Sequence, residues 1–196
     1  MPVGIPCEAQ IVFLYTTDLT RAAAFYEGGL GLALARDQGG CRIYRIREGA
    51  YLGVCARPAE SIQAPDRERR GVIVTFVTSD VERWHALLTS RGLRFESPPR
   101  RSPEYGITHA FLRDPDGYPV CLMELTPSPA STAPPESNIL GARIAMVVDD
   151  LQTTCRWFQH LVGPDLKFWT SPGLMGDKGF ADLTGAPGQF RRAMAL

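Results

Sequence analysis

Ile11-Val-Phe-Leu-Tyr-Thr-Thr-Asp18-Leu-Thr-Arg-Ala-Ala-Ala-Phe25-Tyr26-Glu-Gly-Gly-Leu-Gly31 is the stretch that decides the fold. A short apolar run of β-rich residues leads to an aspartate, then to an amphipathic segment that ends in glycine. The apolar run reads as a buried strand. Asp18 stands where a side-chain oxygen accepts hydrogen bonds from the free N–H groups of a starting helix. Behind it Leu19, Ala22, Ala23, Tyr26 and Leu30 recur at helical spacing and make one apolar face. Gly31 then stops the helix, because glycine accepts the left-handed conformation of a helix end.

The same layout returns twice. Residues 72–77 lead to Asp80, Leu87-Leu88 and Gly92, and residues 144–148 lead to Asp150, Trp157-Phe158 and Gly163. Internal repetition of this kind means repeated supersecondary units. Short strands split by turns follow the first two helices. In the first unit they are 32–36, 42–47 and 51–56, broken at Gly39-Gly40 and Glu48-Gly49. In the second they are 93–97, 108–113 and 119–125, with Asp114-Pro-Asp-Gly117 as a tight turn, since proline presets φ and glycine tolerates φ > 0. The predicted fold class is α+β: tandem βαβββ modules and an additional third one. Residues 57–70 connect the first two modules. Residues 127–138, rich in Pro, Ser and Ala, read as an exposed linker. Residues 7–126 are then a two-module domain, and residues 139–196 a third module ending in a strand over 190–196.

Composition narrows the function classes. The chain has 196 residues, 44% hydrophobic and 21% charged, an ordinary globular balance. Lys+Arg and Asp+Glu are both 21, so the net charge is zero. Nucleic-acid binding, which needs a basic surplus, is not expected. No apolar run approaches the roughly 18 residues of a membrane span, and the first residues lack the basic flank and apolar stretch of a secretion signal. The expected location is cytoplasmic. Cys7, Cys41, Cys55, Cys121 and Cys155 form no Cys-x-x-Cys pair and read as small buried hydrophobes in a reducing compartment. Gly28-Gly-Leu-Gly31 follows a helix rather than a strand, so it is not a nucleotide loop, and no nucleophile elbow is present. Arg67, Arg69 and Arg70, and the pair Arg100-Arg101, read as solvated connections.

With Asp18-Leu19, Phe25-Tyr26, Leu30-Gly31, Tyr105-Gly106 and Asp114-Pro-Asp-Gly117 in place, and Asp150-Leu151 and Trp157-Phe158 repeating them, the chain resembles the vicinal oxygen chelate superfamily. That group comprises glyoxalases, bleomycin resistance proteins and extradiol dioxygenases. The resemblance implies a glyoxalase-like half-open barrel, in which two modules curl into a cup around a ligand. It also implies metal ligands on the first and last strands of each module: a His or Gln seven residues before the capping aspartate, and a Glu seven residues after the first Asp of the turn. Those positions hold Ile11, Ile73, Arg143 and Cys121. The family metal is therefore not expected and no cofactor is assigned. A divalent ion bound through His109 is the alternative, with Glu124 joining it only if the last strand carries a bulge.

Strand alternation sets the candidate lining. With Ile11 facing inward, Phe13 and Tyr15 do too; in the second module Ile73, Thr75 and Val77 share a face, with Cys121 and Met123 opposite them. Phe13, Tyr15, Thr75, Tyr105, Cys121 and Met123 are assigned to ligand binding. Arg42 and Tyr44 share one face of a neighbouring strand, and alternation alone leaves open which face. His109 is the imidazole on a strand, whereas His85 and His160 lie on helices. Arg42, Tyr44 and His109 are assigned the catalytic or orienting role toward an anionic or carbonyl oxygen. The expected function is to hold a small hydrophobic or aromatic oxygenated molecule, without the family metal. The alternative is a glyoxalase- or dioxygenase-type enzyme (a lyase, isomerase or oxygenase) with a non-standard or metal-free site. A cup takes two modules, so residues 139–196 would need a second copy, giving a homodimer through the third module, or a fourth module in a longer chain.

Overall fold

Each of the three aspartates caps a helix. In the computed structural model, which describes residues 9–58, 71–125, 139–163, 165–171, 173–174, 183–184, 191 and 193–195, Asp18 Oδ1 accepts from the N–H groups of Thr20 (2.9 Å) and Arg21 (3.0 Å). Asp80 accepts from Arg83 N–H and Asp150 from Thr153 N–H, both at 2.9 Å. The helices are α1 (Leu19–Ala23), α2 (Val81–Ser90) and α3 (Leu151–Val162). Gly31, Gly92 and Gly163 beyond them all have positive φ. The first helix does not run as one α-helix to its stop: after Ala23 it widens into a π-helical turn over Ala24–Gly29. Gly29 there admits the Leu93 side chain to within 3.0 Å of where a Cβ would stand.

Two large open sheets carry the modules. The first contains β1 (Gln10–Thr16), β2 (Ala33–Asp37), β3 (Cys41–Arg47) and β4 (Ala50–Ala56), in the order β1-β4-β3-β2. The second contains β5 (Val72–Thr78), β6 (Arg100–Ser102), β7 (Ile107–Arg113), β8 (Pro119–Leu125) and β9 (Ile139–Met146), in the order β6-β7-β8-β5-β9. β10 (Phe168–Thr170) pairs with β11 (Ala193–Ala195). The architecture is the expected α+β one, built from strand–helix–strand modules around sheets that do not close.

Three expectations need correction. Residues 93–97 form no strand but only a single bridge, Phe95 to Leu112. Pro98 and Pro99 cannot donate to a ladder, so the pairing resumes beyond them, and Arg100 and Arg101 lie on the edge strand β6 rather than in a connection. Cys41 and Cys55 are not separate buried thiols: they face each other across β3 and β4 and are joined by a disulfide. Their positions are symmetric about the Glu48-Gly49 turn, and that symmetry is the signal for the pair that the sequence carries. Cys121 is buried and takes part in no disulfide; Cys7, most of the 57–70 connection with Arg67, Arg69 and Arg70, and the 127–138 linker lie outside the described residues.

The third correction concerns the third module. It has a partner within the chain, because β9 runs antiparallel beside β5. The register is symmetric: Val74 pairs with Ile144, and each stands six residues before its capping aspartate, Asp80 or Asp150. Ile73 faces Ala145 and Thr75 faces Arg143 on either side. Modules 2 and 3 thus meet through their first strands about a local two-fold axis.

Modules 1 and 2 meet differently, through their helix-covered sides. Leu14, Tyr44, Leu52 and Val54 of the first sheet and Val74, Phe76, Val120 and Leu122 of the second join Tyr26, Trp84 and Leu88 in one buried cluster. The Asp114-Pro-Asp-Gly117 turn, closed by Gly117 N–H to Asp114 C=O at 3.0 Å, pins this junction. Asp114 accepts from the Tyr26 hydroxyl at 2.8 Å. Asp116 accepts from the Thr16 hydroxyl at 2.5 Å and from Arg21 at 3.2 Å.

Candidate functional site

On the second sheet, register places chemistry in rows. Phe111, Cys121, Thr75 and Arg143 are consecutive neighbours across β7, β8, β5 and β9. His109, Met123, Val77 and Gly141 form the next row. All lie on the face turned away from α2, whose Val81, Trp84 and Leu88 pack against the opposite side with Val74, Phe76, Val120 and Leu122. Cys121 and Thr75 are buried; His109, Phe111 and Met123 are half-buried, and Arg143 is exposed. The His109 ring meets Phe111 edge-on, with centroids 5.2 Å apart. The face therefore combines an aromatic and thioether wall, a hydroxyl, a thiol, an imidazole and a guanidinium.

Of the residues singled out in the sequence, His109, Thr75, Cys121 and Met123 come together here. Tyr105 sits in a 3-10 turn (Pro103–Tyr105) between β6 and β7, half-buried, just before Gly106 at φ 61°. Phe13 and Tyr15 lie on the first sheet instead. Phe13 covers Gly53 across the strand pair, occupying the space a side chain there would need, and Arg57 stacks over the Tyr15 ring at 4.7 Å.

Arg42 and Tyr44 occupy the helix-covered side of the first sheet. The Tyr44 hydroxyl donates to Glu27 Oε1 at 2.9 Å and Arg42 Nη1 donates to the same oxygen at 3.0 Å. Arg42 Nε also meets Asp37 at 3.3 Å. Burial, then the hydrogen bond to Glu27, pushes the Tyr44 phenol well above its ordinary value. These groups fasten the end of the first helical segment to the sheet. Alternation puts Arg42 and Tyr44 on a common face without saying which. Glu27, the residue that claims both, escapes sequence reasoning because its partners are 15 and 17 residues away.

Arg143 stands out in the sequence only as a position lacking a metal ligand. Its place in the row depends on β9 pairing with β5, a contact no local pattern announces. The same pairing shows why the implied ligand set fails. The first-strand positions hold Ile73 and the Arg143 guanidinium, and Cys121 offers one thiol. The β7–β8 ladder is unbroken, with Thr108 opposite Glu124, so Glu124 stays on the helix side, where it accepts from Val81 N–H at 3.2 Å. Among the described residues no three His, Cys, Asp or Glu side chains gather as a metal site. A divalent cation needs converging N or O donors, and a neighbouring guanidinium repels it. The described residues at these positions do not fit the family's metal.

The model of the glyoxalase/bleomycin resistance protein/dioxygenase superfamily matches residues 9–122, more than half of the chain. The chain belongs to this superfamily. Solved members share its fold at low identity. A glyoxalase/bleomycin resistance protein/dioxygenase from Nocardioides aligns at 22% identity and TM-score 0.52, covering 67% of this chain and 92% of its own. A glyoxalase/dioxygenase from Nostoc punctiforme aligns at 17% identity and TM-score 0.51, covering 61% and 90%. TnmS3, an antibiotic binding protein from Streptomyces sp. CB03234, aligns at 24% identity and TM-score 0.50, covering 64% and 99%. No curated protein matches the chain in sequence. Among the described residues of this superfamily member, no helix is long and apolar enough to cross a membrane.

Proposed function

We propose that the chain holds a small hydrophobic or aromatic oxygenated molecule against the face of the second sheet turned away from α2, without the family's metal. The observation that carries this reading is the row Phe111–Cys121–Thr75–Arg143 with His109 and Met123 beside it. A flat ligand packs on Phe111 and Met123, and its carboxylate or carbonyl oxygen meets Arg143, Thr75 or His109. Such sites are mostly apolar, with a few polar groups that fix orientation. The orienting role falls to Arg143 and His109, while Arg42 and Tyr44 serve Glu27. TnmS3, a binding protein of this fold, lends the reading support, since binding needs affinity and no chemistry.

Titration with aromatic carboxylates such as salicylate, followed by native mass spectrometry, tests this. One ligand per chain should bind and be recovered unchanged. Arg143→Leu should weaken binding roughly tenfold or more, the worth of one charge-assisted hydrogen bond; equal affinity for both proteins would sink the proposal. Conversion of the ligand would favour the alternative, a lyase, isomerase or oxygenase of the superfamily. Stoichiometric Fe, Mn, Ni or Zn in the purified protein would overturn the metal-free part.

A cytoplasmic location and a homodimer belong to the same proposal. The Cys41–Cys55 bond opposes the first, because a reducing compartment disfavours disulfides. The denatured, unreduced chain should titrate fewer thiols than its five cysteines, because Cys41 and Cys55 are bonded; five would mean a reduced pair. For the dimer, α3 leaves Trp157 and Leu161 exposed, but β9 already has its strand partner, so the third module no longer needs a second copy to complete it.

A further inference from the structure

Charge is unevenly shared between the two sides of the second sheet. Its five strands contain one acidic residue, Glu124, and Glu124 lies on the helix side beside Val81 N–H. His109 and Arg143 lie on the opposite face, and the register adds two more cations to it. Arg100 of β6 pairs with His109, and directly opposed residues project from the same face of a sheet. Arg113 pairs with Pro119, which alternates onto the same side as Cys121. Arg101, opposite Thr108, projects the other way. The face turned away from α2 therefore carries three arginines and a histidine and, within its strands, no carboxylate, although the whole chain has no net charge. A surface lined by one sign of charge concentrates ligands of the other.

The three arginines are not equivalent. Arg113 is held in place by Glu96 and by Gly117 C=O, both at 3.0 Å. Arg100 and Arg143 are exposed and stand on the two outermost strands, β6 and β9. Four strand spacings, about 19 Å, separate their backbones. Each arginine has a stem long enough to bring its guanidinium several ångströms inward from there. Phe111, Met123 and Val77 fill the middle of the face between them. We infer that the ligand of this face is a dianion, a flat apolar body with an acid group at each end. One carboxylate meets Arg143 and Thr75, which are neighbours across β9 and β5. The other meets Arg100 and His109, which are neighbours across β6 and β7. A guanidinium grips a carboxylate with two parallel hydrogen bonds, so each end is fixed in direction as well as in place. A ligand with a single acid group leaves Arg100 in water and gains nothing from it. The inference rests on the ligand reading above and adds Arg100 as the residue that selects for the second acid.

Calorimetric titration of the full chain with terephthalate, phthalate and salicylate tests this. Terephthalate and phthalate have the same ring and the same charge, but only terephthalate carries its carboxylates at opposite ends. Terephthalate should bind roughly tenfold more tightly than phthalate, the worth of one added charge-assisted contact. Arg100→Gln should abolish that difference and leave salicylate affinity unchanged. Arg101→Gln, on the other side of the same strand, should leave all three affinities as they are. Equal binding of terephthalate and phthalate by the parent would overturn the inference. So would an Arg100→Gln protein that loses salicylate as strongly as terephthalate, or an Arg101→Gln protein that behaves like Arg100→Gln. If salicylate still binds the parent in those cases, the ligand reading stands and only the second acid is refuted. A parent that takes up none of the three anions defeats both.

Discussion

Asp116→Ala should lower the unfolding free energy by about 3 kcal/mol, a typical loss when a buried hydrogen-bonded charge is removed. The expected fall in Tm is roughly 10 °C for a chain of this size. The Asp116 carboxylate is 1% exposed and accepts from the Thr16 hydroxyl and from Arg21. Removing it leaves the Thr16 hydroxyl, in a buried residue, without that acceptor. Arg21 suffers less, since its side chain is 45% exposed and water replaces the carboxylate. Asp116→Asn keeps an acceptor for Thr16 and should lose about half as much. Chemical denaturation of the three proteins measures this; an Asp116→Ala midpoint equal to the parent's would show that the turn does not hold the modules together.

The second large effect depends on pH. Burial raises the Asp114 carboxyl to about 6, from an ordinary value of 3.8, against the lowering effect of hydrogen bonds from Tyr26, Tyr118 and Asp116. The folded state then binds a proton that the unfolded state releases between about pH 4 and 6. Stability from this group is fully present below about pH 4 and is lost as pH rises through 6, by up to about 3 kcal/mol. Asp114→Asn keeps polar atoms for all three partners but cannot ionise. Relative to the parent it should gain stability as pH rises from 4 to 7. Parallel pH–stability curves for parent and variant would refute the assignment.

Local features of this chain are legible in its amino acids alone. Asp18, Asp80 and Asp150 cap helices with their own side chains, so a few consecutive residues contain the whole cause. β8 appears at its expected bounds because its apolar run follows directly on the turn that sets its start. Where long-range pairing decides, the sequence says less. Strand alternation groups Thr75, Cys121 and Met123, yet nothing near Arg143 in sequence says that it will face Thr75. Arg42 and Tyr44 share a face, but only the arrival of Glu27 on the π-helical turn shows which one. The expected strand at 93–97 fails on two prolines just past its end, whose missing donors outweigh the β-rich residues before them.

The Asp114-Pro-Asp-Gly117 turn also has a bearing on how the chain is made. Thr16 and Tyr26 receive their partners from residues 100 and 88 positions further on. At a synthesis rate of about 5–20 residues per second, the first module waits several seconds with β1 paired to β4 but without the Asp116 acceptor for Thr16 or the Asp114 acceptor for Tyr26. The junction between modules 1 and 2 therefore forms late in synthesis, and a chain ending before residue 114 should fold less stably than the full chain.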